Sequence, residues 1–334
     1  MIGHTSKDDM PAVLIQLDNL NLNPGRFCMS FGFDIGPLAC SIKKAGLINR
    51  PIVTIRENGN VEIVTGYRRI LALKKLGVKS VICLDISGSD KTDLDLLLIN
   101  IHDNRFARNL NIVEKSMALN RAVRFRTGEN EYDQELLSLL EIHRKELLII
   151  KRIESLPDTV KSLLADNSVS FKAFEVLSDT CDEESVNACI KAISKLKLNY
   201  NQQLHLIEYT SDLSSITRRS FTDVLSDMTL QDIINDPGKN IPQKAKEFIN
   251  TLREQRFPDL SGYEKIFNRK VGALQLPGNI KISHPQYFES EGFQLQINFK
   301  SGNELKNDLK YLISKKELGY IGNPWESDDS KNEI

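Results

Sequence analysis

The chain has 334 residues, of which 40% are hydrophobic and 27% charged, and its formal net charge is −1 at pH 7. This length suits two or three domains rather than one core. The near-neutral charge argues against a purely non-specific nucleic-acid binder, which is usually basic overall, but it permits a local basic face. No apolar run reaches the roughly 18–20 residues that span a bilayer, so we expect a cytoplasmic protein without a membrane partner.

Cysteine and histidine are present in small numbers and without metal-binding spacing. The sequence holds five of each, and no Cys-x-x-Cys pair occurs. Reduced, mostly structural thiols are the simplest interpretation, and a histidine zinc site is not expected.

The first hundred residues alternate short strands with helices. Strands are predicted at Ala12–Leu17, Pro51–Arg56, Val61–Thr65 and Val78–Ile86. Helices are predicted at Phe33–Ala45, Tyr67–Leu76 and Asp93–Ile101. The Asn-Gly pair between the second and third strands is a strong hairpin signal. These patterns predict an α+β fold with a small mixed sheet at the N-terminal end.

The rest of the chain is predicted to be helical until a small unit closes it. Asn111 and Glu114 have the spacing of a capping box, so a helix should begin there. Strands are predicted at Ala273–Leu276, Ile280–Ser283 and Phe293–Phe299, followed by a helix at Glu304–Lys316. We therefore predict a flexible tail at 1–11, an α/β domain at 12–110, a helical DNA-binding domain at 111–180, a helical region at 181–256, a small β-β-α unit at 257–322 that is a candidate for dimerisation, and a frayed tail at 323–334.

The most informative stretch is the turn between the third strand and its helix. Thr65 can cap the helix, and Gly66 permits a positive φ and the close approach of a ligand. Exposed amides and the helix dipole favour an anion there, and Arg68 and Arg69 add planar donors suited to phosphate oxygens. The residues alone also permit a solvated pair of arginines at a helix start.

Three stretches resemble the N-terminal domain of ParB-type partition proteins, whose fold is shared with sulfiredoxin. They are Ser41–Ile48, Pro51–Val53 and Gly66–Ala72. The family motif reads Gly-Glu-Arg-Arg, and Tyr67 stands here where glutamate is usual. A second family box, Glu-Asn followed by Leu-Asn and a glutamate, is similar to Asp103-Asn104, Leu110-Asn111 and Glu114.

The resemblance implies CTP as a ligand, together with Mg²⁺. The implied nucleotide-binding residues are Gly66, Tyr67, Arg68, Arg69 and Asn104. By the same resemblance, Asn104 helps to hold the metal, and Asp103 is the candidate catalytic residue at the position linked to hydrolysis. Aspartate is one methylene shorter than the family's glutamate, so a weak CTPase activity is the most we expect. Taken without the resemblance, Asp103-Asn104 also fits a polar turn at the end of a helix.

The resemblance extends into a helix-turn-helix. Leu136–Leu140 is the predicted first helix, Glu141-Ile142 the turn and His143–Glu154 the second helix. The predicted DNA-binding residues are His143, Arg144, Lys145, Lys151 and Arg152. Glu141 replaces the usual glycine of the turn, and Leu148 and Ile149 replace small polar residues that face DNA in the family. An ordinary helical hairpin in a core is the alternative.

Together these features predict a ParB-like, CTP-gated DNA-binding protein that acts as a homodimer on the nucleoid, in DNA partition or a related nucleoid or mobile-element process. A small-molecule phosphotransferase with Asp103 as its base and a non-catalytic protein-interaction regulator remain as alternatives. Nuclease activity is not expected, because no acidic metal cluster is found. A ParA-type ATPase is a weaker partner, since the family stimulates it with a basic tail, whereas residues 1–11 hold one lysine and no arginine.

Overall fold

The computed structural model describes residues 10–125, 134–288 and 292–322. The chain divides into two compact units, Met1–Ile207 and Glu208–Ile334. The predicted α+β class is confirmed, with a small mixed sheet and many helices. The finer domain boundaries stay predictions, and most of the first predicted tail and all of 323–334 lie outside the described residues. Across the described residues, every helix is too short or too polar to serve as a membrane span.

The first unit holds a four-stranded sheet. Its strands are β1 (Ala12–Gln16), β2 (Ile52–Ile55), β3 (Val61–Thr65) and β4 (Ser80–Asp85). The order is β1-β4-β2-β3, with β2 antiparallel to β3, β1 antiparallel to β4, and β2 parallel to β4. The hairpin predicted at the Asn-Gly pair is therefore confirmed, and the parallel pair makes the sheet mixed.

Among the described residues from 36 to 217 there are ten α-helices, in the part of the chain predicted to be mixed α/β and then helical. They are α1 (Gly36–Ala45), α2 (Tyr67–Lys75), α3 (Asp93–Ala107), α4 (Ile112–Phe125), α5 (Gln134–Leu140), α6 (Leu147–Ile153), α7 (Asp158–Ala165), α8 (Phe171–Thr180), α9 (Glu183–Leu196) and α10 (Tyr200–Thr217). The end predicted for α3 at Ile101 is wrong, because the helix continues for another turn and a half. Asp103 and Asn104 thus lie within a helix and not in a polar turn.

Among the described residues of the first unit, two hydrophobic clusters pack around the sheet and around helices α3 to α6. One lies between the sheet and α2 and includes Val53, Ile70 and Cys83. The other joins α3 and α4 to the two short helices α5 and α6, with Leu119 and Ile150 among its fully buried members. The helices predicted to bind DNA therefore share a core with the helices that follow the sheet.

The second unit is helical with a two-stranded sheet. Its elements after α10 are α11 (Phe221–Leu225), α12 (Met228–Asn235), α13 (Ile241–Arg256), α14 (Pro258–Ala273), β5 (Ile280–Ser283), β6 (Gln294–Ile297) and α15 (Gly302–Ser314). Strands β5 and β6 pair antiparallel. The strand predicted at Ala273–Leu276 is wrong, because Ala273 ends α14 and Gln275 turns the chain with a φ of 49°.

All five thiols are free, as the sequence predicted. Cys28, Cys83 and Cys189 are buried. Burial raises the pKa of the Cys83 thiol to about 11, so this thiol stays protonated near neutral pH. These positions are structural.

Candidate functional site

The turn before α2 requires glycine for two reasons. Gly66 has a φ of 86°, and a Cβ placed on it would lie 3.0 Å from both Cα and Cβ of Pro51. The cap predicted from Thr65 is wrong, because Gly66 occupies the N-cap position and no side chain caps the helix. The Thr65 hydroxyl is buried, and no residue that the structure describes bonds to it. Buried polar groups are normally hydrogen-bonded, so the Thr65 hydroxyl is an unsatisfied group next to the Gly66 turn.

Arg68 points toward the start of α4. Its guanidinium donates to Glu114 Oε1 at 2.7 Å and to Ser30 Oγ at 3.2 Å, and it stacks 4.4 Å above the Phe33 ring. Burial lowers the pKa of Arg68, as does the nearby charge of Arg108, while Glu114 opposes the shift. The Glu114 carboxylate and the Phe33 ring offset the cost of holding a cation at this position.

Glu114 is fully buried, and two arginines share its carboxylate. Arg108 donates to both carboxylate oxygens, and Arg68 donates to one of them. Two guanidiniums against one carboxylate leave a net charge of +1. The site therefore favours a further anion.

Arg69 is held by the segment before β2 and by α3. It donates to the backbone carbonyl of Asn49 at 2.9 Å and to Asp103 Oδ2 at 2.8 Å. Asp103, from the second family box, is thus paired with the second arginine of the first box. The structure brings both boxes together through ion pairs.

Amide hydrogen bonds connect Asn104 to Asn100 and, through Asn100, to β3. Its amide nitrogen donates to Asn100 Oδ1 at 2.7 Å, and Asn100 in turn donates to the carbonyl of Val64 on β3. Metal binding by Asn104 stays a prediction. Within the described residues no group of three or more His, Cys, Asp or Glu side chains could hold a metal by itself.

Tyr67 is the one predicted nucleotide-binding residue whose side chain lies in the core. It is buried, its hydroxyl donates to the Leu22 carbonyl at 2.8 Å, and its ring meets Phe33 edge-on at 6.4 Å. Its hydroxyl thus has a backbone carbonyl as its partner within the core. Contact between Tyr67 and the nucleotide stays a prediction.

A loop and a capping box close over Glu114. Phe31 N donates to Glu114 Oε1 at 3.1 Å, and the Asn111 amide donates to the Phe31 carbonyl at 3.0 Å. Asn111 and Glu114 also exchange side-chain and backbone hydrogen bonds, which confirms the predicted capping box. A Cβ on Gly32 would lie 3.0 Å from Ala165 in α7, so the loop is packed against the helical part as well.

Helix α4 connects this cluster to α6. Its first turn carries Glu114, while the Asn120 amide donates to the Lys151 carbonyl at 2.9 Å. The backbone amide of Glu154 donates to Ser116 Oγ at 3.0 Å. These two hydrogen bonds connect α4 to the end of α6.

The helix-turn-helix spacing predicted from the sequence is present, with a difference in its second helix. His143 caps a 3-10 turn at Arg144–Glu146, and α6 begins only at Leu147, so the predicted start of a regular helix at His143 is wrong. Among the predicted DNA-binding residues, four are exposed and Lys151 is half-buried. The exposed ones are His143, Arg144, Lys145 and Arg152. Of the two unexpected hydrophobic residues, Ile149 packs in the core and Leu148 is 72% exposed.

The backbone conformation of the turn at Glu141 is one that favours glycine, the residue usual at this position in the family. Glu141 has a φ of 54°, in the left-handed region that costs an L-residue roughly 1–2 kcal/mol. We expect Glu141→Gly to be more stable than Glu141→Ala by about 1 kcal/mol, because both lose the same ion pairs and only glycine relieves the strain. Urea denaturation of the two variants measures the difference. Equal stabilities would show that the turn is unstrained.

Sequence reasoning did not single out three residues of this region. Arg108 lies between the elements of the second box, and Ser30 lies in a loop without a motif. Arg121 is two helical turns after Glu114 on the same face of α4. One of its guanidinium nitrogens is buried without a hydrogen-bond partner among the described residues, and burial lowers its pKa. Helical spacing from Glu114 was the available signal for Arg121.

No family model matches the chain. Comparison with known proteins nevertheless finds similar proteins whose names agree with one another. It is 26% identical over 246 residues to the "Probable chromosome-partitioning protein ParB" of Campylobacter jejuni, covering 72% of this chain and 84% of that protein. The Vibrio cholerae protein of the same name is 28% identical over 248 residues, covering 72% and 78%. A "Nucleoid occlusion protein" of Bacillus thuringiensis is 24% identical over 242 residues, covering 69% and 81%.

Two solved structures of Caulobacter crescentus ParB were also found. The complex with CTP-gamma-S is 24% identical, covers 55% of this chain and 98% of that one, and has a TM-score of 0.25. The complex with the centromeric parS site is 20% identical, covers 57% and 96%, and has a TM-score of 0.34. The sequence likeness to the three curated proteins extends over about seven tenths of the chain. By sequence, the chain is therefore similar to proteins named as ParB-type partition proteins and as a nucleoid occlusion protein.

Proposed function

We propose that the chain binds CTP at the Gly66 turn and that the bound nucleotide controls DNA binding by the helix-turn-helix. The observation that carries this proposal is the pairing of Arg68 with Glu114 and of Arg69 with Asp103. It joins the predicted phosphate-binding arginines to α3 and to the first turn of α4. The names of the curated relatives, and a relative's complexes with a CTP analogue and with DNA, support the same function.

Before the nucleotide binds, the carboxylates of Glu114 and Asp103 hold Arg68 and Arg69 in place. Phosphate oxygens suit the planar donors of Arg68 and Arg69 at least as well as a carboxylate does. The Thr65 hydroxyl and the surplus guanidinium charge at Glu114 offer further contacts. The triphosphate would therefore compete with Glu114 and Asp103 for their partners.

A Mg²⁺ ion fits this site only together with the nucleotide. Magnesium is commonly bound by one or two carboxylates plus substrate phosphates. Asp103, once released from Arg69, and the amide oxygen of Asn104 are the protein groups that would hold it. The ion would neutralise phosphate charge there, and Asp103 remains the proposed position for slow hydrolysis.

Transmission to DNA would use α4. When a phosphate binds Arg68, the ion pair between Arg68 and Glu114 is lost. The capping box and the Phe31 contacts at the start of α4 are then weakened. Asn120 and Ser116 on the same helix hold the end of α6. The nucleotide state would thereby change the position of the exposed basic residues His143, Arg144, Lys145 and Arg152. We further propose a homodimer on the nucleoid that acts in DNA partition or a related process, with a ParA-type ATPase as a weaker candidate partner.

The function is tested by measuring duplex affinity over a salt series, with and without CTP and Mg²⁺. Each phosphate contact contributes about −0.9 to the slope of log K against log salt. We expect the double variant Arg144→Ala, Lys145→Ala to reduce the slope by about 2. The control Lys43→Ala, Lys44→Ala removes the same charge from exposed positions on α1 and should leave the slope unchanged.

Three results would contradict the proposal in different ways. An affinity for DNA that CTP does not alter would remove the gating. Absence of duplex binding at low salt, with or without nucleotide, would favour the protein-interaction regulator. Transfer of labelled phosphate to a small molecule in the absence of DNA would favour the phosphotransferase.

A further inference from the structure

The exposed side of α6 carries one large apolar side chain. Leu148 is 72% exposed, whereas Leu147 and Ile150 on the opposite side of the helix are buried. A single exposed leucine is ordinary on a protein surface. Whether Leu148 serves a function must therefore be judged from the residues around it.

Cations lie on both sides of Leu148. Lys145 precedes it by about one turn and Arg152 follows it by one turn on the same side of the helix, and Arg144 is exposed beside them. An apolar protein surface would leave these charges unpaired and desolvated. The pattern instead fits an anionic partner with a small apolar group between its charges.

The DNA major groove has this chemistry. It is about 12 Å wide and admits a helix, with phosphates along both edges and the thymine C5-methyl group as an apolar feature of its floor. On the basis of the proposed DNA-binding function, we propose that Leu148 packs against a thymine methyl group and makes the chain prefer thymine at one position of its site.

Ile149 does not share this role, because it packs in the core and is only 9% exposed. A small polar residue at position 148 would contact bases by hydrogen bonds. Leucine cannot, so specificity at this base pair depends on one methyl contact. The preference is correspondingly modest, at about fourfold for one buried methyl group.

Deoxyuridine tests this contact directly, because it differs from thymine only by the methyl group. A preferred duplex is selected from a random pool with the full chain, CTP and Mg²⁺, and each thymine of the selected site is then replaced in turn. We expect one replacement to weaken wild-type binding about fourfold and to have no effect on Leu148→Ala. The control Arg152→Ala should bind all duplexes more weakly and keep the thymine preference.

The inference is overturned if no single replacement weakens wild-type binding by more than about 1.5-fold, or if Leu148→Ala keeps the full penalty. Equal binding of all duplexes by wild type and Leu148→Ala would instead assign the leucine to a protein contact. If the wild type binds no duplex at all, the DNA-binding function itself fails, and this result is distinct from the other two. Leu148 is exposed, so Leu148→Ala should keep the wild-type melting temperature.

Discussion

Replacing Glu114 with alanine is expected to destabilise the first unit by about 3–5 kcal/mol, the usual cost of removing one partner from a buried ion pair. The substitution leaves Arg68 and Arg108 without their shared carboxylate, and both are largely shielded from water. It also removes the capping box of α4 and the hydrogen bond from Phe31 N. Urea denaturation followed by circular dichroism measures the change.

Glu141→Ala is the matched control for this experiment. Glu141 also pairs with two cations, Arg105 at 3.1 Å and Lys115 at 3.6 Å, but its side chain is mostly exposed. Its loss should cost less than about 1 kcal/mol. Glu114→Gln, which keeps the shape but not the charge, should lie between the two. A Glu114→Ala variant as stable as Glu141→Ala would contradict the assigned role of Glu114.

Replacing Arg69 with alanine is expected to weaken CTP binding by roughly 10- to 150-fold, which corresponds to the loss of one hydrogen-bonded charge interaction with phosphate. Arg69 is partly shielded beside the Gly66 turn, where the helix dipole of α2 adds to its attraction for an anion. Isothermal titration with CTP and Mg²⁺ measures the affinity. The same titration with Arg68→Ala should give a loss of similar size.

Arg56→Ala controls for the general effect of removing a paired arginine from this domain. Arg56 contacts Glu62 at 2.6 Å and Asp93 at 2.7 Å, so it resembles Arg69 in burial and partners but lies outside both boxes. We expect it to bind CTP like the wild type. Equal losses of affinity in Arg56→Ala and Arg69→Ala would mean that the effect comes from the fold and not from a phosphate contact.

Local signals in the sequence predicted the scaffold of this site. The Asn-Gly hairpin, the glycine turn before α2 and the capping box at Asn111 and Glu114 depend on neighbouring residues alone, and the structure contains all three. The extension of α3 to Ala107 was missed, because a local pattern does not reveal the bond from Arg69 on α2 to Asp103 or the bond from Asn104 to Asn100. The strand expected at Ala273–Leu276 failed because Ala273 is the last residue of α14 and Gln275 then turns the chain with a positive φ.

The sequence left open whether Arg68 and Arg69 are solvated or hold a ligand. In the structure they are neither free nor fully exposed, since carboxylates from the second box pair with both. Two positive charges at a helix start are unfavourable by themselves, and Glu114 and Asp103 compensate for them. The contact between the two boxes is made by residues about 35–45 positions apart, so only the tertiary fold discloses it.

Hydrogen exchange of the full chain with and without CTP and Mg²⁺ tests the central claim most directly. We expect saturating CTP to protect the amides of residues 66–69 and to change exchange in the Phe31 loop, in the first turn of α4 and in α6. At a CTP concentration that just saturates the wild type, Arg69→Ala should show smaller changes, in proportion to its lower occupancy. Saturable CTP binding that leaves the Gly66 turn and α4 unchanged would contradict both the assigned pocket and its connection to the helix-turn-helix.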